Sequence, residues 1–238
     1  MSQMNIVPAK YRYVAFYDLL ADAAFQHNLA SSSKNSFQMS RYARASIIAS
    51  ALSIECIANC LLDSIDVPKS LRDELDKLPP LSKIETTLRM KGVSAFNRGR
   101  HEIQKAVDLI RVRNDYVHAK TVAWDAEVHE PKDADTEWMI PFSIQGEHWK
   151  SLGIPKQATF WSKDASLAVL RVICDFFRYL LVDVMKADDE ELHRMLPSRL
   201  EFANVLMPAV FDELTRETAI LKKDGVDFSF LNVTSDKQ

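Results

Sequence analysis

The stretch IRVRNDYVHAK, residues 110–120, carries the side chains in this 238-residue chain best suited to chemistry. Arg113, Asn114 and His118 fall together in what reads as the last turns of a helix. Asn114 and His118 are four residues apart and so share one helical face. Arg113 sits one step round, with a side chain long enough to reach over that face. A guanidinium grips phosphate through paired N–H donors, and an imidazole moves protons near neutral pH. The macrodipole at a helix C-terminus holds a histidine toward its charged form. These are the minimum parts for metal-independent phosphodiester cleavage, with the ribose 2′-hydroxyl as nucleophile. One histidine cannot easily be base and acid on opposite sides of phosphorus; two copies across a twofold axis could divide those roles. The bare spacing proves little by itself, since Arg111 and His118 match it as well.

Context gives the trio its weight. Apolar residues at helical spacing predict a helix within 9–29, and the polar run ASSSKNS at 30–36 breaks it. A long helix follows over about 37–65, with Ile47, Ile48, Ala51, Leu52, Ala58, Leu61, Leu62 and Ile65 as its buried stripe. Ser70 and Ser82, each with an acid three residues on, read as N-caps of short helices. The motif helix covers about 99–119, and its stripe of Ile103, Ala106, Val107, Ile110, Asn114, Val117 and His118 turns polar at the C-terminal end. Residues 120–161, rich in Trp and Pro, form an insertion in which a short β-hairpin is expected. A third long helix spans about 163–186. Ser198 with Glu201 predicts a capping box that opens a C-terminal helix over 198–222. The expectation is an all-α fold in a single domain over 1–238, with its core at about 9–119 and 163–186.

Bulk properties narrow the function classes. The net charge of −3 excludes a basic nucleic-acid coat, yet residues 91–120 hold seven Lys or Arg against three acids. Five glycines argue against phosphate-cradling glycine loops. No run approaches the ~18 apolar residues that span a bilayer, and the start MSQMNIVPAKYRYVAF lacks a signal core, so a cytoplasmic setting without membrane attachment is expected. The expectation for Cys56, Cys60 and Cys174 is three buried thiols in a reducing compartment. Asn232-Val-Thr234 matches a glycosylation acceptor and reads as accidental without export. His129 and His148 have no ligand-like spacing, and DADTEW and KADDEEL lack the fixed pattern of a calcium loop; no metal or other cofactor is expected. Glu55 lies near the buried stripe of the second helix, with Asn59 one turn on. It either receives and positions Arg113 or is a satisfied structural group.

RNDYVH at the end of a long helix resembles the HEPN superfamily motif, in which Arg, often followed by Asn, precedes His by four to six residues. The preceding run RYARASIIASALSIECIANCLLDSI looks like the second helix of such domains. The resemblance covers about 9–186 and implies a HEPN-like four-helix bundle, with the C-terminal helix and the insertion as additions. It also implies a homodimer whose two motifs meet in a cleft. Active members are ribonucleases of toxin–antitoxin, phage-defence and RNA-processing systems; others serve only as binding or dimerisation modules. On this resemblance Arg113 and His118 are catalytic and Asn114 orients them, with Glu55, Asn59 and Arg111 in support. RNA is the expected partner, and an antitoxin or other regulatory protein a further one. Lys120 stands where members paired with nucleotidyltransferase-type antitoxins often carry a Tyr modification site.

Overall fold

Apolar residues at helical spacing and one capping residue set the first helical hairpin. The computed structural model describes residues 8–93, 95–121, 123, 125, 127–129, 143–202, 205–208 and 212–231. Its first helices are α1 (Phe16–Ser32) and α2 (Ser36–Asp63), joined by three residues. Asn35 fixes the start of α2: its Oδ1 accepts the N–H groups of Phe37 at 3.0 Å and Gln38 at 3.1 Å. The facing surfaces are built of small residues, including Ala23 and Ala24 on α1 and Ala43 and Ser46 on α2. Backbones can therefore approach closely, and the buried Ser46 Oγ donates to the carbonyl of Ala23 at 2.7 Å.

Two more helices, α5 (His101–Val117) and α6 (Lys163–Arg178), complete a bundle around α2, which touches α1, α5 and α6. Between α2 and α5 lie α3 (Lys69–Leu75) and α4 (Pro80–Met90), the latter packed on α2. The core holds Phe16, Ile47, Ile54, Ile84, Ile103, Phe176 and Phe177, with Phe16 and Phe177 meeting edge to face at 5.0 Å between centroids. After Arg178 the helix widens into a π turn, Tyr179–Val184. The chain then forms α7 (Asp189–Met195), begun by Asp188, whose Oδ1 accepts the Glu191 N–H at 2.8 Å. The most apolar helix, α2, is long enough to cross a bilayer, but 61% of its most apolar window is buried inside the fold.

Strands appear where the sequence pattern points elsewhere. Lys10–Arg12 is a strand, β1, rather than the start of the first helix. The insertion holds two short antiparallel pairs, β2 (Glu127–His129) with β3 (Ser143–Gln145), and β4 (His148–Trp149) with β5 (Ile154–Pro155). Trp124, Trp138 and most of WMIPFSI lie outside the described residues, as does Asn232. The C-terminal helix expected over 198–222 is instead β6 (Arg199–Phe202), β7 (Val205–Pro208) and a shorter helix, α8 (Asp212–Ala219), packed on α1. Ser198 caps no helix. Its Oγ accepts the Val14 N–H at 2.9 Å and donates to the Val14 carbonyl at 3.2 Å. That contact sets the register of β1 against β6, with Tyr11 opposite Leu200, in the antiparallel sheet β1-β6-β7. Ser70 and Ser82 lie inside α3 and α4, which start after Pro68 and Pro79. Proline tolerates the first helical turn because the N–H it lacks would be unpaired there anyway.

A buried polar triad crosses from α1 to α6. Ser166 Oγ donates to the Lys163 carbonyl at 2.9 Å, so it accepts from His27 Nδ1 at 2.8 Å. His27 Nε2 is then the acceptor for Ser31 Oγ at 3.2 Å. Burial lowers the pKa of this imidazole, against the opposing pull of Asp224 and Asp164. The folded protein thus resists protonating His27, while the unfolded chain takes up that proton near the ordinary value of about 6.5. This group's contribution to stability is full above that pH and is lost as the pH falls toward the lowered folded value. Urea titrations from pH 7.5 to 5 are expected to show a smaller decline for His27→Gln than for the parent protein.

Candidate functional site

The elements converge on the C-terminal end of α5. Its buried face is Ile103, Ala106, Leu109 and Val112. That places Asn114, Val117 and His118 on the exposed side, rather than at the end of the buried stripe expected from the sequence. Arg113 lies at the boundary and reaches across to α2. Its Nη2 donates to the carboxylate of Glu55, and its Nη1 donates to Asn114 Oδ1 at 3.0 Å. The structure therefore brings together Arg113, Asn114 and Glu55, linking the motif helix to the middle of the central helix. The pair is half-open to solvent, with 21% of the Arg113 side chain and 43% of the Glu55 side chain exposed.

His118 terminates the helix. Its backbone leaves the helical region at φ −104°, ψ 43°, while its N–H still donates to the Asn114 carbonyl at 2.9 Å. The imidazole is exposed and has no hydrogen-bond partner among the described residues. Beside it, Val117 is 57% exposed, an unusual setting for an aliphatic side chain at the end of a core helix. Tyr116 stacks on Trp161 with centroids 5.9 Å apart, and Trp161 Nε1 donates to the Pro155 carbonyl at 2.7 Å. The insertion is thereby anchored against the same helix end.

Two expected supporting residues stand apart. Asn59 Oδ1 accepts from Lys83 Nζ at 2.7 Å, and the same buried ammonium reaches Asp76 at 2.7 Å. This network braces α4 against α2 and does not include Arg113. Arg111 is exposed and paired with Asp108 at 2.9 Å, and Ser151 Oγ donates to the other oxygen of Asp108. The basic stretch 91–120 is largely neutralised in the same way: Lys91 pairs with Glu191, Arg98 with Glu85 and Arg100 with Glu102. Lys105 and Lys120 carry no ion pair among the described residues. His101 contacts Glu102 at 3.3 Å at the far end of α5. Among the described residues no group of three His, Cys, Asp or Glu side chains is placed to hold a metal ion.

A second polar locus has only a faint trace in the sequence. A cavity of about 530 Å³ opens between the residues after β1, the C-terminal half of α2 and α3, lined in part by Arg12, Tyr13, Cys56, Asn59, Cys60 and Arg72. Arg12 and Arg72 both bond to the carboxylate of Asp63. Burial raises the Asp63 pKa, but the two guanidinium groups outweigh it and hold the carboxyl below its usual range. The expectation of buried thiols holds for Cys60 and Cys174, whereas Cys56 is half-exposed. Four-residue spacing places Cys56 and Cys60 on one face, but only the fold shows that a cavity opens there.

No family model, no curated protein and no solved structure matches the chain. The half-open Arg113–Glu55 pair carries a specific expectation. Ion pairs at such exposure contribute about 0–1 kcal/mol. Glu55→Gln and Arg113→Ala are each expected to shift the unfolding free energy by no more than about 1 kcal/mol in urea titrations, with a coupling energy of the same order in the double variant.

Proposed function

We propose that the chain is a metal-independent endoribonuclease of HEPN type, acting in a cytoplasmic setting as a homodimer whose two helix ends face each other. The observation that carries this reading is the placement of Arg113, Asn114 and His118 at the exposed end of α5, with Arg113 oriented from behind by Glu55. In this reading one His118 takes the proton from the 2′-hydroxyl, and the partner copy's equivalent gives a proton to the leaving 5′-oxygen. Arg113 balances the charge that builds on the phosphate oxygens. A second copy would also cover Val117, which a lone chain leaves in water. A toxin or phage-defence role, with an antitoxin or other regulatory protein as partner, follows only from the motif's resemblance.

The same pair supports a second reading. An arginine already bound to a carboxylate has less charge to offer a phosphate, so the trio could serve as a hydrogen-bonded contact in a catalytically silent interaction module. Purified protein incubated with RNA in EDTA separates the two. The first reading expects products ending in 2′,3′-cyclic phosphate and a loss of about 10²-fold or more in His118→Ala, since general acid–base help is worth that much. Arg113→Ala is expected to lose activity as well, with fold and dimer content unchanged by circular dichroism and sedimentation. Intact dimers that cut none of several RNA classes would instead favour the interaction module.

A further inference from the structure

Cys56 differs from the other two cysteines in three respects. It is half-exposed where Cys60 and Cys174 are buried, and it lines the cavity between α2 and α3. Its sulfur is also approached by two donors, the Cys60 thiol one helical turn on and the backbone amide of Ala15. Those are the surroundings that make a thiolate available. Cys174 is the contrast, since its thiol donates to the Asp227 carbonyl at 3.2 Å and has little access to solvent.

We propose that Cys56 is a modification site, whose thiolate is captured by a small peptide-like disulfide seated in this cavity. The volume of about 530 Å³ suits a ligand of that size. Around the sulfur the wall offers guanidinium donors from Arg12 and Arg72 and the polar side chain of Asn59, partners for carboxylate and amide groups rather than for an apolar molecule. The ring of Tyr13 stands at the edge, its hydroxyl bonded to Asp18. The Cys56 thiolate attacks one sulfur of the disulfide. A new S–S bond forms to that sulfur as the original one breaks, and the other half departs as a thiolate that takes up a proton. Cys56 is oxidised, the incoming disulfide is reduced, and no further oxidant is required.

Hydrogen bonding to Cys60 holds the Cys56 pKa below the ordinary thiol value, with the Ala15 amide adding to it against the effect of burial; the Cys60 thiol is pushed up by the same contact. The attacking group and its donor are therefore distinct. Cys56 also adjoins Glu55 in the chain, so an adduct would stand next to the carboxylate that orients Arg113. That placement couples the thiol to the candidate site whichever function the site has.

The test uses the full-length protein in its native state, treated separately with glutathione disulfide and with limiting iodoacetamide, followed by peptide mapping. A single glutathionyl adduct on Cys56 is expected, removed by reductant and absent in Cys56→Ser. Iodoacetamide should label Cys56 at least about tenfold faster than Cys60 or Cys174, with a pH midpoint below the ordinary thiol value of about 8.5. Cys60→Ala should slow labelling of Cys56 at neutral pH, and should move its midpoint upward, which a merely structural change would not do. Equal labelling of the three cysteines, or no labelling of the native protein, would overturn the proposal. Iodoacetamide labelling without a glutathionyl adduct would overturn the assigned ligand.

Discussion

Everything in this fold is arranged to keep α2 out of water. A helix of 28 residues whose apolar stripe runs its full length is stable only when that stripe is covered. α1 covers one side, close enough for Ser46 to bond the Ala23 carbonyl, while α4, α5 and α6 cover others. Fully burying each large aliphatic side chain contributes about 1.5–3 kcal/mol. α2 supplies Ile47, Ile54, Ile57 and Leu61 at essentially no exposure. What remains uncovered is a narrow polar line that includes Glu55, Asn59 and Asp63. Each of these three is used: Glu55 holds Arg113, Asn59 holds Lys83, and Asp63 holds Arg12 and Arg72. The central helix is thus also the rail on which the candidate site and the neighbouring cavity are mounted.

How much of this is legible in the sequence depends on whether the signal is local. The helices α1, α2, α5 and α6 carry long periodic stripes, and periodicity is a property of one segment alone. The sheet β1-β6-β7 is a pairing between residues almost 190 positions apart, and nothing near Ser198 announces that Val14 is its partner. The Ser198–Glu201 spacing therefore reads as a helix start, although the same residues suit a strand equally well. Ser70 and Ser82 depart from expectation for another reason. Prolines two or three residues upstream have already fixed the helix starts, a stronger constraint than a hydroxyl cap.

The candidate site is legible in type and partly in place. Arg113 and Asn114 interact directly, and Glu55 receives the guanidinium, as one of its two readings has it. The sequence puts the face of α5 about one residue out of phase, because Val107 and Ile110 compete with Leu109 and Val112 for the inward stripe in a helix of 3.6 residues per turn. Packing decides in favour of Leu109 and Val112, which leaves Asn114, Val117 and His118 outward. Asn59 has helical adjacency to Glu55 in its favour, but Lys83 arrives from α4, an element whose approach no single segment encodes. Cys56 departs from expectation for the same reason: whether a residue at the margin of a stripe is buried depends on which neighbour fails to cover it.

The two hydrogen bonds of Arg113 differ in kind, and the difference bears on what the group can do. The bond to Glu55 is charge-assisted and fixes one arm of the guanidinium; the bond from Nη1 goes to a neutral amide oxygen. Charge-assisted bonds are roughly twice as strong as neutral ones, so an arriving anion would displace Asn114 before Glu55. Asn114 can then turn its amide nitrogen to the same anion, since the side chain carries both an acceptor and donors. An arginine held in this way keeps its orientation while changing partner, at the loss of one weak bond. That economy suits a group that must bind and release a phosphate repeatedly. It suits equally a contact that forms only when a second chain brings its own acceptor, so the bonding pattern of Arg113 specifies the charge of the missing partner while leaving its chemistry to the outcome at His118.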